Sequence, residues 1–300
     1  VMKPTDIRPT SPDAASPGRF SGRVLLVTGA AIGSIGGCTA LRAAREGASV
    51  ACVDLKEAET LATVEAIRGA GGRAIAITAD VTQPAAAERM VLDTVAQYGR
   101  LDMVLNAAGV MDGNPPTRDQ DFDRDAGLLP AAIHKATDEY WHAVFAANIH
   151  GTFNSMRAEL RQMVAQGEGG AIVNVGSIAG LTGLPGNPAY SASKHAVIGL
   201  TRNAAIDYAK HGIRVNAVNM AQTETPMVRR AYEFVKWAKE KGLGSGMASG
   251  KSRSLLQAAD SEHRGSTPWE QAAIILFLLS DDASNLTGAA IASDGGWTAY

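Results

Sequence analysis

Short runs of β-branched and apolar residues recur along this chain, separated by longer stretches with helical patterning. That alternation constrains the fold more than any other feature. The runs are Val24–Thr28, Ser49–Asp54, Ala74–Asp80, Met103–Ala107, Ala171–Val175, Ile213–Asn219 and Ala289–Asp294. Helical patterning occupies Lys56–Ala70, Ala85–Gln97, Asp138–Gln166 and Ala189–Lys210, among others. Strands that are apolar throughout are buried on both faces, which a parallel sheet covered by helices provides. Right-handed crossovers between them predict a doubly wound α/β domain with a seven-stranded parallel sheet and helices on both faces. No internal repeat and no second core of comparable size is visible, so 21–300 is expected to form one domain.

Charge and cysteine content narrow the function classes. The 28 basic and 30 acidic residues leave a net charge of -2, without the basic footprint that nucleic-acid and membrane-surface binding use. Two cysteines, Cys38 and Cys52, cannot build a disulfide framework and suit a reducing cytoplasm. The longest apolar run, Ala272–Leu279, is far short of a bilayer span. Residues 1–20 carry Pro4, Pro9, Pro12 and Pro17 without an apolar segment, and are expected to be a flexible arm.

The first crossover carries a phosphate-binding pattern. Strand Val24–Thr28 leads into Gly29-Ala30-Ala31-Ile32-Gly33-Ser34-Ile35-Gly36-Gly37 and then a helix over Thr39–Glu46. Glycines there permit a tight turn and let backbone N–H groups approach a pyrophosphate, at which the following helix aims its positive end. The second strand ends in Asp54, where a carboxylate accepts both ribose hydroxyls and repels the 2′-phosphate of NADP, so NAD is the expected cofactor. Glycine turns also occur for purely structural reasons; the order strand, turn, helix, strand, acid is what gives this one its Rossmann-type reading.

A second constellation lies further on. Tyr190 and Lys194 stand four residues apart on one helical face, and Ser177 follows the buried run Ala171–Val175 at the carboxyl edge where such sheets place ligands. Isolated Tyr–Lys pairs of this spacing are mostly surface contacts. As a general base, however, a tyrosine needs its pKa brought from about 10 to about 7, which takes about 4 kcal/mol, and a neighbouring cation works in that direction.

Taken together these motifs resemble the short-chain dehydrogenase/reductases of the compact, single-domain kind, over about residues 21–300. The matching pieces are Thr28-Gly29 with its glycine turn, Asp80-Val81, Asn106-Ala107-Ala108-Gly109, Asn148, Ser177, Tyr190-x-x-x-Lys194, Asn219, Thr225 and Asp294-Gly295-Gly296. The resemblance implies that Tyr190 is the general acid/base, Ser177 holds the substrate oxygen, Lys194 binds the nicotinamide ribose and tunes Tyr190, and Asn148 supports a proton relay. It also implies cofactor contacts from Gly29, Gly33, Ser34, Ile35 and Gly36 at the pyrophosphate and from Asp54 at the ribose. Asp80 and Val81 would border the adenine, Asn106 and Gly109 the adjacent wall, and Thr225 the carboxamide. A small alcohol or ketone as substrate and a homotetramer or homodimer through Asp138–Gln166 and Ala189–Lys210 complete what it implies. Alternatives are an NADPH-dependent 3-oxoacyl-thioester reductase, which Asp54 disfavours, and an inactive cofactor-sensing binding protein, which the intact catalytic set disfavours. The chain departs from the family pattern where the glycine turn is one residue longer, where Gly176 replaces a common serine, and where Met220-Ala221 replaces a common Pro-Gly.

Other motifs carry less. Gly244–Ser252 looks like a P-loop, but its first glycine position is Ser245 and no strand precedes it, which leaves a loop. His134, His142, His150, His195, His211 and His263 lack zinc-site spacing, so no metal is expected. Two segments are candidates for shaping the substrate pocket. The insertion 110–137 contains Pro115-Pro116 and the acids Asp119, Asp121, Asp123 and Asp125, and reads as a solvated loop, with a cover over the site or a subunit contact as alternatives. Residues 227–265 offer Met227, Tyr232, Phe234, Val235 and Trp237 as a substrate lid or as one packed amphipathic helix. The expected substrate has a cyclic or otherwise bulky apolar skeleton.

Overall fold

The computed structural model describes residues 8–242 and 253–299. The Gly244–Ser252 loop and the middle of the 227–265 segment therefore lie outside the described residues. Seven strands form one sheet: β1 (Val24–Thr28), β2 (Ser49–Asp54), β3 (Arg73–Thr78), β4 (Met103–Asn106), β5 (Gly170–Val175), β6 (Ile213–Met220) and β7 (Ala290–Ser293). Their order is β3-β2-β1-β4-β5-β6-β7 and every pairing is parallel.

Alternate residues of each strand feed two separate apolar layers. Leu25, Val27, Val50, Cys52 and Val173 face α1 (Ile35–Arg45), α2 (Glu57–Gly69) and α9 (Pro268–Leu279), meeting Ala43, Ile67 and Ile275. Leu26, Ala51, Val104 and Ile172 face α3 (Pro84–Tyr98), α5 (Gly151–Gln166) and α6 (Pro188–Tyr208), meeting Met90, Met163 and Ala204. Burial on both faces is why these strands read as continuous apolar runs. The Cys38 and Cys52 thiols sit in this packing, where burial pushes them up to about 11 and about 12 and leaves them inert.

The helix read over 138–166 is interrupted. It comprises α4 (Asp138–Phe145), one π-helical turn (Ala146–His150) and α5, and the wide turn carries Asn148. Such turns displace a helical side chain from its regular register and recur at functional sites.

Two segments expected to be loose are packed. Within the arm, Phe20 is buried, Arg45 donates to the Pro12 carbonyl, and Arg19 pairs with the buried Glu46 at the end of α1, which Arg42 also holds. Residues 12–20 are thus tied to α1 rather than free. In the insertion, Phe122 packs against Phe234 and Trp237 of α7 (Pro226–Glu240), with Leu129 beneath. Asp112 pairs with Arg230, Asp123 with Lys241, and the buried Asp125 with Arg124 and Arg118, whose bonds hold its carboxyl below the usual range. Asp112, Phe122 and Asp125 are thus held by α7 or by arginines of the insertion, while Asp119, Asp121 and Asp123 stay exposed. A short helix, α8 (Leu255–Ala259), follows the undescribed stretch. Among the described residues no helix is long and apolar enough to cross a membrane.

Candidate active site

The sheet reverses its winding between β1 and β4, and the loops at their carboxyl ends build the first half of the site. Gly29 adopts φ +72°, and a Cβ there would lie 2.7 Å from the Ala107 carbonyl carbon, so the two loops touch backbone to backbone. Gly36 and Gly37 begin α1 so close to the turn that a Cβ on either would stand 2.3 Å from a backbone oxygen, that of Gly29 or of Ala31. Gly33, at φ +75°, turns the chain with open space beside it.

The added residue in this turn has a structural use. Ser34 caps α1: its hydroxyl accepts from Gly37 N at 2.9 Å and donates to Gly29 O at 2.8 Å, while its own N–H goes to Ala31 O. With both donors committed inside the turn, Ser34 is not available to a phosphate as the resemblance implies. The Ile35 and Gly36 amides, in the first helical turn, have no intrahelical acceptor and remain suited to an anion. Asp54 sits beside them, its two oxygens accepting from Ala31 N and Lys56 N at 3.1 Å. Each oxygen keeps a second lone pair for a ribose hydroxyl.

The remaining cofactor-side residues divide between the site and the interior. Asp80 accepts from Thr82 N in a local turn, and Val81 fills the place a Cβ on Gly151 would take, 2.8 Å from its Cγ2. Thr225 caps α7 by accepting from Val228 N, a role that leaves its hydroxyl proton uncommitted. Asn106 turns its side chain into the core, donating to Glu159 and to Asn174, so any cofactor wall it forms is backbone. Gly109 stands at the centre: a Cβ there would be 2.9 Å from Asn148 Oδ1 and 3.7 Å from Lys194 Nζ.

On the opposite side, β5 and α6 bring Ser177, Tyr190 and Lys194 together. The Ser177 hydroxyl lies near enough to the Tyr190 phenol to lower its pKa, and Lys194 Nζ lies 5.6 Å from the Tyr190 ring centre. Lys194 donates to the Val175 carbonyl at 2.8 Å. All three side chains are buried. Burial therefore governs their protonation: it pulls the Lys194 ammonium down to about 8 and pushes the Tyr190 phenol up, with the Ser177 hydroxyl acting the other way. The expected lowering of Tyr190 by Lys194 is not achieved by these residues alone. The ammonium rests on a backbone carbonyl and to one side of the ring, and loss of water outweighs its attraction for a phenolate.

Supporting residues surround this group, some of them, such as Ser193 and Ser266, outside any sequence motif. Asn148 binds Val110 like a neighbouring strand, Oδ1 accepting from its N–H at 2.8 Å and Nδ2 donating to its carbonyl at 3.0 Å. Its Nδ2 also donates to Ser193 Oγ, which donates to the Tyr190 carbonyl. Through these bonds Asn148 holds the Val110 segment against α6. Asn219 Oδ1 accepts from Ser177 N, and a Cβ on Gly176 would fall 2.1 Å from it, which is why glycine replaces the common serine. After Met220 and Ala221, the chain is pinned by Ser266: its N–H and hydroxyl reach Gln222 O, and Glu224 N donates to its carbonyl. The loop without Pro-Gly is therefore still fixed. Among the described residues no cluster of His, Cys, Asp or Glu could hold a metal ion.

Known proteins share this arrangement. The sequence profile of the short chain dehydrogenases matches residues 23–236. The chain is 38% identical over 293 residues to a 3beta-hydroxysteroid dehydrogenase of Mediterraneibacter gnavus, covering 94% of this chain and 97% of that one. It is 35% identical over 280 residues to a 2,5-dichloro-2,5-cyclohexadiene-1,4-diol dehydrogenase of Sphingobium indicum, covering 93% and 98%. A crystal structure of a short chain dehydrogenase from Mycobacterium paratuberculosis bound to NAD superposes with a TM-score of 0.78 at 30% identity, covering 94% and 100%. A glycine turn under β1, a tyrosine and lysine one turn apart on α6, and a profile match across most of the sheet have one common source: the chain belongs to the short-chain dehydrogenase/reductase family, whose members bind a nicotinamide cofactor.

Proposed function

We propose that this protein is an NAD-dependent dehydrogenase that interconverts a secondary alcohol and a ketone on a cyclic or bulky apolar skeleton. The observation that carries the reading is the burial of Ser177, Tyr190 and Lys194 together, with the lysine nitrogen 5.6 Å from the Tyr190 ring centre. A bound nicotinamide supplies the hydride acceptor and, when oxidised, a positive charge next to the pocket. In the oxidative direction Tyr190 takes the alcohol proton as hydride leaves the carbinol carbon. Ser177 donates to the same oxygen, where negative charge develops in the transition state. Lys194, with its pKa near 8, is protonated at neutral pH, and its charge makes the Tyr190 phenolate less costly.

The residues around this position are apolar. Val110, Met111, Phe145 and Leu184 pack against the cluster containing Tyr190, which favours a hydrocarbon framework over an extended polar chain. Relatives named for a hydroxysteroid and a cyclohexadiene diol support a ring. Asp54 supports NAD over NADP because a carboxylate at the ribose repels the extra phosphate. Assembly as a homotetramer or homodimer belongs to the same proposal: Phe153 and Ile206 are exposed on α5 and α6, surface that such a contact would cover.

A panel of cyclic secondary alcohols with NAD and with NADP, at neutral and alkaline pH, tests this reading. NADH formation is expected, with NAD preferred. Tyr190→Phe should retain NAD binding and lose turnover by orders of magnitude. Near-normal kcat in that variant, or preference for NADP, would overturn the assignment.

A further inference from the structure

Tyr140 on α4 is fully buried, and its phenol lies against the first turn of α6. Its hydroxyl donates to Asn187 Oδ1, and its ring packs with Ala189 and Tyr190. Asn187 occupies the N-cap position of α6, yet its side chain makes no cap bond of its own. An asparagine there ordinarily accepts from its own helix. Here it accepts from a residue 47 positions upstream. Pro188, at the first helical position, has no N–H to satisfy. Ala189 and Tyr190 are therefore the first amides of α6 that need an acceptor.

The consequence falls on Tyr190 itself. Its ring packs with that of Tyr140, and its carbonyl accepts from Ser193 Oγ, which accepts in turn from Asn148. Tyr140 and Asn148 lie on the same continuous helical stretch, one in α4 and one in the π turn. That stretch therefore holds α6 on both sides of Tyr190, at Asn187 and at Ser193. Burial and the nearby Asp112 carboxylate push the Tyr140 phenol far above its ordinary range, so it keeps its proton and cannot compete with Tyr190 as a base.

We propose that Tyr140 is a positioning residue: through Asn187 at the start of α6 and its packing on Ala189 it sets where the Tyr190 phenol stands relative to Ser177. The proposal rests on the reading of Tyr190 as the acid/base, and the experiments keep the two apart.

Tyr140→Phe removes the oxygen and keeps the ring packed on Val144, Ala179 and Ala189. With a cyclic alcohol that the wild type oxidises, kcat is expected to fall on the order of tenfold or more, with KM for NAD within about twofold. Asn187→Asp, which keeps an acceptor for Tyr140, should retain kcat, and Asn187→Ala should lose part of it. A readout without turnover comes from amide hydrogen exchange: in Tyr140→Phe the Ala189 and Tyr190 amides should exchange at least tenfold faster, with the middle of α6 unchanged. Wild-type kcat in Tyr140→Phe beside an inactive Tyr190→Phe overturns the proposal and leaves the acid/base assignment standing. Unchanged exchange at Ala189 and Tyr190 overturns it whatever the activity. Equal losses of kcat and of NAD binding would also overturn it, by assigning Tyr140 a general structural role. If Tyr140→Phe does not fold, the Asn187 pair decides: equal kcat in Asp and Ala variants refutes the tether.

Discussion

Glu159 is a carboxyl group with no water around it, and removing its charge should change how this protein tolerates alkali. It lies on α5 with no exposed surface, where Asn106 Nδ2 donates to Oε2 at 3.0 Å and Oε1 has no hydrogen-bond partner among the described residues. Burial pushes its pKa from 4.5 up to about 8, the Asn106 bond pulling weakly the other way. The sign follows from linkage. Below pH 4.5 the group is neutral whether the chain is folded or not. Between pH 4.5 and 8 the unfolded chain releases its proton while the folded chain retains it, so stability falls by about 1.4 kcal/mol per pH unit. Above pH 8 the loss levels off at about 5 kcal/mol. Glu159→Gln keeps an acceptor for Asn106 and cannot ionise. In urea denaturation at fixed protein concentration and ionic strength, it should nearly match the wild type at pH 5. It should exceed it by about 3 kcal/mol at pH 7 and by about 5 kcal/mol at pH 9. Parallel stability profiles from pH 5 to 9 would refute the reasoning, because they would mean that Glu159 titrates alike in both states.

Other residues give sharp expectations. Gly109→Ala would set a methyl group 2.9 Å from Asn148 Oδ1, displacing it from Val110; kcat/KM should fall at least tenfold, with a small change in Tm, by steady-state kinetics and thermal melts. Asp54→Asn keeps one backbone acceptor and removes the charge, so the NADP to NAD ratio of kcat/KM should rise about tenfold or more. Phe122→Ala takes a ring from the Phe234–Trp237 cluster and should weaken the local packing by about 1–2 kcal/mol, seen as faster proteolysis within the insertion and a higher substrate KM with KM for NAD unchanged.

What could be read from the sequence depended on how far apart the interacting residues lie. β1 and β2 are bounded where the apolar runs begin and end, because a buried parallel strand writes its limits in its own composition. Tyr190 and Lys194 were visible because one helical turn relates them. Tyr140 was not, since its partners Asn187, Ala189 and Tyr190 lie on another helix and no local spacing links them. Glu159 stands in an otherwise ordinary helical pattern, and only the three-dimensional neighbourhood of Asn106 and Asn174 marks it as buried. The insertion hid its contacts for the same reason: Asp112 and Phe122 look solvated until α7, more than a hundred residues later, is laid against them.

That long-range packing bears directly on where specificity resides. Gly109 touches Asn148 and comes near Lys194, Val110 is clamped by Asn148, Met111 packs beside Tyr190, and Asp112 holds Arg230 of α7. Four consecutive residues thus run from the catalytic lysine to the helix that follows Thr225. The Asp112–Arg230 pair is mostly shielded from solvent, whereas Asp123–Lys241 is open to it and so contributes little. Burial raises the Asp112 carboxyl and Arg230 draws it back, which makes the inner pair the costlier one to break. Movement of α7 away from the site must therefore either part that pair or pull on the segment Asn148 holds.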